Sequence, residues 1–319
     1  MKEISIPIGE KTIVIPNCWD RLSPDAYIFL CKLLALWASG QISAFEVKFR
    51  YVCFFTGTDP EAAIRGEAEQ YLYLVSRMVT FMFLIEYPKG SLEPFDPELR
   101  TKLRKMPPEY LPDKSMVRYF EDIKYKYRID ACYAAQLVPD ITIGETTYAG
   151  YDVYTAYDRI TCSLSAAQFV DAYQLLTDIN GKEALLASIL YSPLPYRSDA
   201  AHKHAIAFEE VNPLTLQAVA LNFQALVSYL FTCTPYSVLQ TRSTETAAIC
   251  TGMAEGIYNL SADGLGDVTA IEQMNILTYL TILRKKLIES VIAMNDAKMD
   301  ITEIASKTGL PIPTIRKML

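Results

Sequence analysis

The residue types that most often carry chemistry are sparse in this 319-residue chain. Its only two histidines, His202 and His204, lie two positions apart. A strand would place both rings on one side, as chelation of a metal ion requires, whereas a helix would separate them. The surrounding sequence, from Asp199 to Ala207, predicts a helix. We therefore expect no metal site here.

The remaining polar groups form no recognisable catalytic set. Glu67 and Glu69, like Glu209 and Glu210, lie one or two positions apart without an evident partner, which is typical of a solvated surface. The chain contains neither a glycine-rich phosphate loop nor a Gly-x-Ser-x-Gly nucleophile motif. An enzyme would need a deep polar pocket that only the fold could assemble. The sequence predicts a protein that is not an enzyme and binds no cofactor.

The C-terminal segment resembles the core of a helix-turn-helix. Ala305 is small enough to let two helices approach, and Gly309 suits the left-handed conformation of the turn between them. The second helix, Pro311–Leu319, would enter the major groove of DNA, and the third helix would be supplied by Val268–Met294. The candidate nucleic-acid contacts are Lys307, Thr314, Arg316 and Lys317.

The charge around this segment argues against DNA contact. Asp296, Asp300 and Glu303 make the approach surface acidic. The whole chain carries a formal charge of −7, whereas indiscriminate nucleic-acid binding needs a positive footprint. A helical packing or partner-docking element is the favoured interpretation, and DNA contact stays open as the alternative.

Basic and aromatic residues alternate from Arg118 to Arg128, as they do on nucleic-acid surfaces. The apolar members fit one helical face, however, and Glu121 and Asp122 dilute the positive charge. A solvated amphipathic helix explains the pattern better.

Tyrosine is abundant, with 21 copies, and several lie outside the obvious helices. Tyrosine combines apolar area with a polar tip and is enriched in protein interfaces. Partial burial around the second hairpin explains the cluster equally well. The candidate protein-interface residues are Tyr148, Tyr151, Tyr154, Tyr157, Tyr191 and Tyr196.

The elements that would position these residues are laid out twice. Residues 3–15 and 140–149 each predict a β-hairpin, and Ser23 and Ser165 each open an apolar helical run. An offset of about 142 positions aligns the two runs and places Gly40 near Gly181. The sequence predicts an internal duplication.

The predicted fold is mainly α, with two small β-hairpins, two related helical halves and a C-terminal helical appendage. The predicted domains are residues 1–137, residues 138–240, a hinge at 241–267, and a C-terminal unit at 268–319. Within them, helical spacing predicts helices from Pro24 to Gly40, from Ala44 to Phe55, from Asp59 to Pro88, from Ser115 to Gln136, from Ala166 to Thr177, from Lys182 to Leu190, a long one that ends before Pro235, and one from Val268 to Met294. The proline-rich stretch 88–113 indicates a surface excursion or linker, with a short helical turn at 98–105.

Composition indicates a cytoplasmic protein. The seven cysteines include no Cys-x-x-Cys pair, and most lie in apolar helical runs, which suits a reducing compartment. Residues 214–233 are free of charge, but Gln217, Gln224 and Ser228 would share one helical face. Such a stripe favours a helix buried in a soluble protein over a membrane span.

Three segments of the second half carry a family resemblance: Leu137–Gly150, Leu164–Ala172 and Leu186–Pro193. Together they resemble uncharacterised proteins encoded in phage and prophage tail-gene clusters. This chain departs from that pattern at Ser192, where the family often has arginine.

The resemblance implies a non-enzymatic role in virion assembly, as a tail-assembly factor or chaperone or as a minor virion component. Other tail proteins or a second copy would be the partners. The location would be the cytoplasm of a bacterial host or the virion, with no membrane association. The family has no established active site, so no functional residue is carried over. A DNA-binding adaptor that acts through residues 300–319 is the alternative.

Overall fold

The computed structural model describes residues 2–8, 11–64, 69–111, 113–157, 159–240 and 253–319. The chain divides into two compact units, Met1–Ala131 and Cys132–Leu319. The predicted fold class is confirmed, because helices dominate and the strands in the described residues form only small two-stranded antiparallel sheets. There are four such sheets where the sequence predicted two. The internal duplication and the four-part domain division remain predictions.

The first unit begins with a hairpin and continues mostly as short helices. Its strands are β1 (Glu3–Ile8), β2 (Lys11–Pro16), β3 (Phe83–Glu86) and β4 (Lys126–Ile129). Its helices are α1 (Pro24–Ala38), α2 (Ala44–Thr56), α3 (Pro60–Ile64), α4 (Glu69–Met78), α5 (Pro97–Leu103) and α6 (Lys114–Tyr119), with 3-10 turns at Trp19–Arg21 and Pro108–Tyr110.

The β1–β2 hairpin is part of the core of the first unit. Ile4, Ile6 and Ile15 are buried on one face of it, because alternate residues of a strand point to the same side. The next helix begins where predicted: Ser23 Oγ accepts a hydrogen bond from the backbone N–H of Ala26 at 3.3 Å. A serine at this position satisfies one of the unpaired N–H groups of the first helical turn.

Two predicted helices of the first unit are wrong in part. The run from Asp59 to Pro88 ends at Met78, and residues 83–86 form β3 instead. The run from Ser115 to Gln136 contains only the short α6, and residues 126–129 form β4, the partner of β3. The strand alternation is visible in β3, where Phe83 and Ile85 are buried and Glu86 is exposed. Pairing between strands about 40 residues apart overrode the local helical period.

The proline-rich stretch 88–113 is not a bare linker. Pro97 and Pro108 each start a short helical turn, where the missing N–H has no helical partner to lose. Apolar residues of this stretch and of the α6 region that follows it build a small core around Leu103, Leu111 and Phe120. The side chains packed against it are Tyr87, Leu92, Phe95, Leu99, Met106, Met116, Val117 and Ile123.

The second unit contains two consecutive hairpins followed by helices. Its strands are β5 (Asp140–Ile143), β6 (Thr146–Ala149), β7 (Val153–Ala156) and β8 (Arg159–Cys162). Its helices are α7 (Ala166–Leu175), α8 (Glu183–Leu190), α9 (Ser198–Phe208), α10 (Pro213–Cys233), α11 (Met253–Ala262), α12 (Val268–Glu272), α13 (Ile276–Asp296), α14 (Ile301–Thr308) and α15 (Ile312–Met318), with 3-10 turns at Leu176–Asp178 and Pro235–Leu239.

Buried amides fix the core of the second unit. Asn222 of α10 accepts a hydrogen bond from the N–H of Leu137 at 2.7 Å and donates one to the carbonyl of Ala135 at 2.8 Å. Gln168 of α7 donates to the carbonyl of Ile189, at the end of α8, at 2.7 Å. These buried side chains hydrogen-bond backbone groups of other segments of the unit and so hold those segments together.

In the C-terminal part, one predicted helix is corrected, and the predicted hinge stays a prediction. The predicted hinge at 241–267 contains helix α11, and residues 241–252 lie outside the described residues. The predicted helix Val268–Met294 is interrupted between α12 and α13. Asn275 causes the interruption, because its side chain caps α13 through the N–H of Leu277 at 3.0 Å and also donates to the carbonyl of Cys162.

Helix α10 is long and apolar enough to cross a membrane by length and composition alone, and it is the one such helix among the described residues. Half of its most apolar window is buried within the protein. The predicted polar stripe lies toward the surface of the helix, since Gln217 and Gln224 are exposed and Ser228 is half-buried.

Candidate functional site

The C-terminal segment folds as a small three-helix assembly. Helices α13, α14 and α15 all contact one another, so α13 supplies the third helix of the predicted arrangement. Gly309 ends α14 in the left-handed conformation, with φ of +68°, and its N–H donates to the carbonyl of Ala305 at 2.9 Å. The shared core contains Val291, Ile304, Thr308, Leu310 and Ile315, all of which are buried.

The start of α14 is strongly capped. Asp300 accepts a hydrogen bond from the backbone N–H of Thr302 at 2.8 Å and another from its hydroxyl. These hydrogen bonds lower the pKa of the Asp300 carboxyl, which therefore stays ionised and adds negative charge next to α14.

The four candidate nucleic-acid contacts do not form a uniform basic face. Lys307 forms an ion pair with Glu303, one turn earlier in α14, at 3.0 Å. Thr314 is half-buried, and only Arg316 and Lys317 are exposed at the end of the seven-residue α15. Of the four candidates, the packed helices α14 and α15 therefore offer two exposed cations.

The six candidate interface tyrosines do not share one surface. Tyr151, Tyr191 and Tyr196 are buried, and Tyr148 is half-buried with its ring 5.1 Å from that of Phe208. Burial raises the pKa of Tyr191, whose hydroxyl donates to the carbonyl of Val138. Burial leaves Tyr151, Tyr191 and Tyr196 little surface for a partner, whereas the Tyr148 side chain stays partly exposed.

The other two tyrosines lie on the unpredicted β7–β8 hairpin. Tyr154 is 68% exposed and Tyr157, at the turn, is 99% exposed. Together with Ala156, Arg159 and Thr161 they line one shallow depression on the hairpin. Tyr157 also has a positive φ of 49°, which is uncommon for a residue other than glycine. The hairpin thus presents two aromatic rings and a cation to solvent.

A second exposed apolar surface lies on α4 of the first unit. Tyr71, Leu74 and Met78 are exposed and follow the spacing i, i+3, i+7, which places them on one helical face. Leu72 and Val75 point inward and are buried. The sequence contained the signal, because apolar residues occupy both faces of this short helix. We call Tyr71, Leu74 and Met78 the α4 stripe.

A cavity of about 690 Å³, with mixed polar and apolar walls, lies in the second unit among α7, α11, α12 and the start of α9. The hydroxyl of Tyr196 donates to the carboxylate of Asp171 at 2.6 Å, and Gln273 hydrogen-bonds both backbone groups of Tyr196. Arg197 forms an ion pair with Asp199 at 3.1 Å. Burial and the Asp171 hydrogen bond both raise the pKa of Tyr196, so its hydroxyl remains a donor at neutral pH. These polar groups are engaged with one another and fix the cavity wall.

The two histidines lie on α9, where the sequence predicted a helix, and both are exposed. His202 Nδ1 contacts the carbonyl oxygen of Ser198 at 2.8 Å. Among the described residues, no three His, Cys, Asp or Glu side chains are grouped so that they could hold a metal ion. Glu67 lies outside the described residues.

Comparisons with known proteins found no match for this chain among protein-family models, curated proteins or solved structures. Functional assignment therefore rests on the surfaces and cavities of the chain itself.

Proposed function

We propose that this chain is a non-enzymatic protein-binding factor in phage or prophage virion assembly, either a tail-assembly factor or chaperone or a minor virion component. Its partners are other tail proteins or a second copy, in the cytoplasm of a bacterial host or in the virion. The phage context comes from the resemblance of residues 137–193. The observation that supports protein binding is the exposure of large apolar side chains at two defined places.

The first place is the tip of the β7–β8 hairpin. Tyrosine buries a large rigid area with little loss of side-chain entropy, so it serves often as an anchor in protein interfaces. Tyr157 is almost fully exposed at a turn and packs against little of its own unit. A ring in that position contributes to stability only when another molecule covers it.

The second place is the α4 stripe. Three apolar side chains at i, i+3 and i+7 are the arrangement by which a helix binds a groove of a partner protein. The stripe is backed by the buried Leu72 and Val75, so the helix is held against its unit while the stripe faces outward.

Co-expression with the neighbouring genes tests the proposal. The tagged chain should capture one of their products, identified by mass spectrometry, and the complex should survive gel filtration. Replacing Tyr154 and Tyr157 by serine, or the three α4 residues by serine, should reduce recovery of that product. Each set is exposed, so unfolding temperatures should change little.

Tyr258→Ser provides the matched control, because Tyr258 is exposed in the same unit as the hairpin but lies on α11. Recovery of the chain alone, with the neighbouring products soluble in the same lysate, would contradict the proposal. If the Tyr258 variant loses the captured product to the same extent, the hairpin tip and the α4 stripe are not the surfaces that bind it.

A DNA-binding adaptor is the second candidate, favoured by the packing of α13, α14 and α15 around the turn at Gly309. Gel-shift at moderate salt tests it with Arg316→Glu and Lys317→Glu together. A DNA-binding chain should lose its shift in this variant, because both exposed cations of α15 are reversed. No shift with the wild-type chain, or an unchanged shift with the variant, would eliminate this candidate.

A further inference from the structure

A second cavity of the second unit, about 360 Å³, is lined by two arginines and by no acidic side chain among the described residues. It lies where β8, the end of α10 and the middle of α13 meet. Its lining residues are Arg159, Ile160, Tyr229, Cys233, Thr234, Pro235, Tyr236, Thr281 and Arg284.

Arg284 has one buried N–H group that makes no hydrogen bond within the described part of the chain. Its Nε atom is buried and has no hydrogen-bond partner among the described residues. Buried polar groups are nearly always paired, so an unpaired one in a native protein calls for an explanation, of which a bound water or ion is one. Neither Arg284 nor Arg159 forms an ion pair with an acidic side chain of the part of the chain that the structure describes.

No acidic side chain of the described residues neutralises the two guanidinium groups that line this cavity, and an anion between them would relieve the repulsion of their like charges. This arrangement is conspicuous in a chain whose formal charge is −7, where carboxylates for neutralisation are plentiful. Arg197 of the same unit, by contrast, forms an ion pair with Asp199.

The wall of the cavity is fixed without a ligand. Tyr236 donates to the carbonyl of Leu277 at 3.2 Å, and its hydroxyl lies 3.1 Å from that of Thr281. Thr234 accepts a hydrogen bond from the N–H of Tyr236 at 3.2 Å. Because these hydroxyls are engaged, the guanidinium groups are the donors left for a ligand.

We propose that this cavity binds the phosphate group of a small molecule, held by Arg159 and Arg284. Arginine matches the oxygens of phosphate with two parallel N–H donors, and two arginines match a group that carries about −1.5 to −2 charges. A carboxylate, with a single charge, would leave one arginine unneutralised. Nucleic acid fits less well, because its affinity depends on many phosphate contacts and the cavity provides two cations.

Isothermal titration calorimetry at pH 7.5 and constant ionic strength tests the proposal with inorganic phosphate, adenosine monophosphate, acetate and a single-stranded DNA oligonucleotide as probes. Phosphate or the nucleotide should bind the wild-type chain. Arg284→Met and Arg159→Met should each weaken that binding by about tenfold or more, because each removes charge-assisted hydrogen bonds.

Lys285→Met is the matched control, since it removes the same charge from the adjacent, exposed position of α13. Tighter binding of the nucleotide would identify an esterified phosphate as the ligand, and tighter binding of inorganic phosphate would identify the free anion. Far-UV circular dichroism of the ligand-free variants checks their folding. Arg159 is exposed, so its variant decides the question if Arg284→Met does not fold.

Three outcomes would overturn the proposal. The first is no binding of phosphate or the nucleotide to the wild-type chain. The second is equal binding to the wild-type and arginine variants. The third is binding of acetate as strong as that of phosphate, or of the oligonucleotide alone.

Discussion

The two units begin with similar elements but use them differently. In the first unit the β1–β2 hairpin buries Ile4, Ile6 and Ile15, whereas β5–β6 of the second unit buries Ile141 alone. The second unit has instead a further hairpin, β7–β8, whose tyrosines face solvent. One hairpin can therefore belong to the core and another to the exposed surface, depending on whether the rest of the unit covers one of its faces.

The two units are more alike in another respect: in each, a buried asparagine side chain hydrogen-bonds backbone groups of a distant segment. In the first unit Asn17 accepts from the N–H of Thr80 at 2.9 Å and donates to the carbonyl of Met78 at 3.2 Å. In the second unit Asn222 makes the equivalent pair of contacts with Leu137 and Ala135. Each buried asparagine therefore hydrogen-bonds two backbone groups that lie more than 60 positions away from it in sequence.

The largest expected effect comes from Asn222→Leu. The change removes the hydrogen bonds that Asn222 makes with the N–H of Leu137 and with the carbonyl of Ala135, and it places an apolar side chain against these buried polar groups. It should reduce the free energy of unfolding by about 4 kcal/mol. Urea unfolding followed by far-UV circular dichroism measures it. Asn17→Leu is the comparison and should cost less, because its bonds to Met78 and Thr80 are longer. A larger loss of unfolding free energy for Asn17→Leu than for Asn222→Leu would contradict this prediction.

Lys48→Met should stabilise the first unit. Lys48 is 4% exposed and is the one charged residue among the buried residues that the structure describes. Burial, with a smaller contribution from the charge of Lys105, lowers its pKa from 10.5 to about 8. Removing this buried charge should therefore raise the free energy of unfolding at pH 7 by about 3 kcal/mol. Both tryptophans, Trp19 and Trp37, lie in this unit, so their fluorescence reports its unfolding.

The pH dependence gives a second measure of the same residue. Between pH 8 and 10.5 the unfolded chain holds a proton on Lys48 that the folded chain has lost. The wild-type protein should therefore gain stability relative to Lys48→Met as pH rises through this window, and below pH 8 the difference should be constant. A difference that does not change between pH 7 and 10.5 would show that Lys48 titrates normally.

Gly256→Ala should weaken the second unit by about 2 kcal/mol. A Cβ atom at this position of α11 would clash with the hydroxyl of Tyr279 in α13, which donates to the carbonyl of Met253. Thermal unfolding measures the effect. Gly264→Ala is not a suitable control because of its positive φ, so Ser261→Ala on the same helix serves instead. Equal unfolding temperatures for Gly256→Ala and the wild-type chain would show that α11 and α13 can make room for the added methyl group without loss of stability.

The smallest expected change in stability comes from alanine at Gly40 or at Gly181, one glycine in each unit. Gly40 and Gly181 both have φ of +75° and open space around the Cα atom. Alanine at either position should cost about 1 kcal/mol, because L-residues disfavour this conformation. Two equal losses, measured by urea unfolding, are expected if these turns are counterparts in a duplicated plan. A loss at one glycine only would count against that pairing.

Local signals made much of the fold predictable from sequence. Ser23 and Ser165 cap the helices that they were expected to start, and Gly309 ends α14 as predicted. These features depend on a few neighbouring residues. The pairing of Phe83 with Ile129 was not predictable in this way, because no local pattern specifies a strand partner that distant.

The candidate surfaces show the same limit. Nothing in the spacing of Tyr151 and Tyr157 distinguishes a ring that will be buried from one that will be exposed. That difference depends on which elements cover each strand. The arginines of the small cavity, Arg159 and Arg284, are 125 positions apart in sequence and meet only through the fold.

The indole N–H of Trp19 donates to the carbonyl of Asp130 at 2.7 Å, which joins the beginning of the first unit to its last residues. During synthesis the ribosome must therefore release the whole stretch up to Ile129 and Asp130 before this unit can close. Until then Phe83 and Ile85 lack their partner strand. A nascent chain arrested shortly before that point should present these apolar residues to chaperones, and one arrested well beyond it should not.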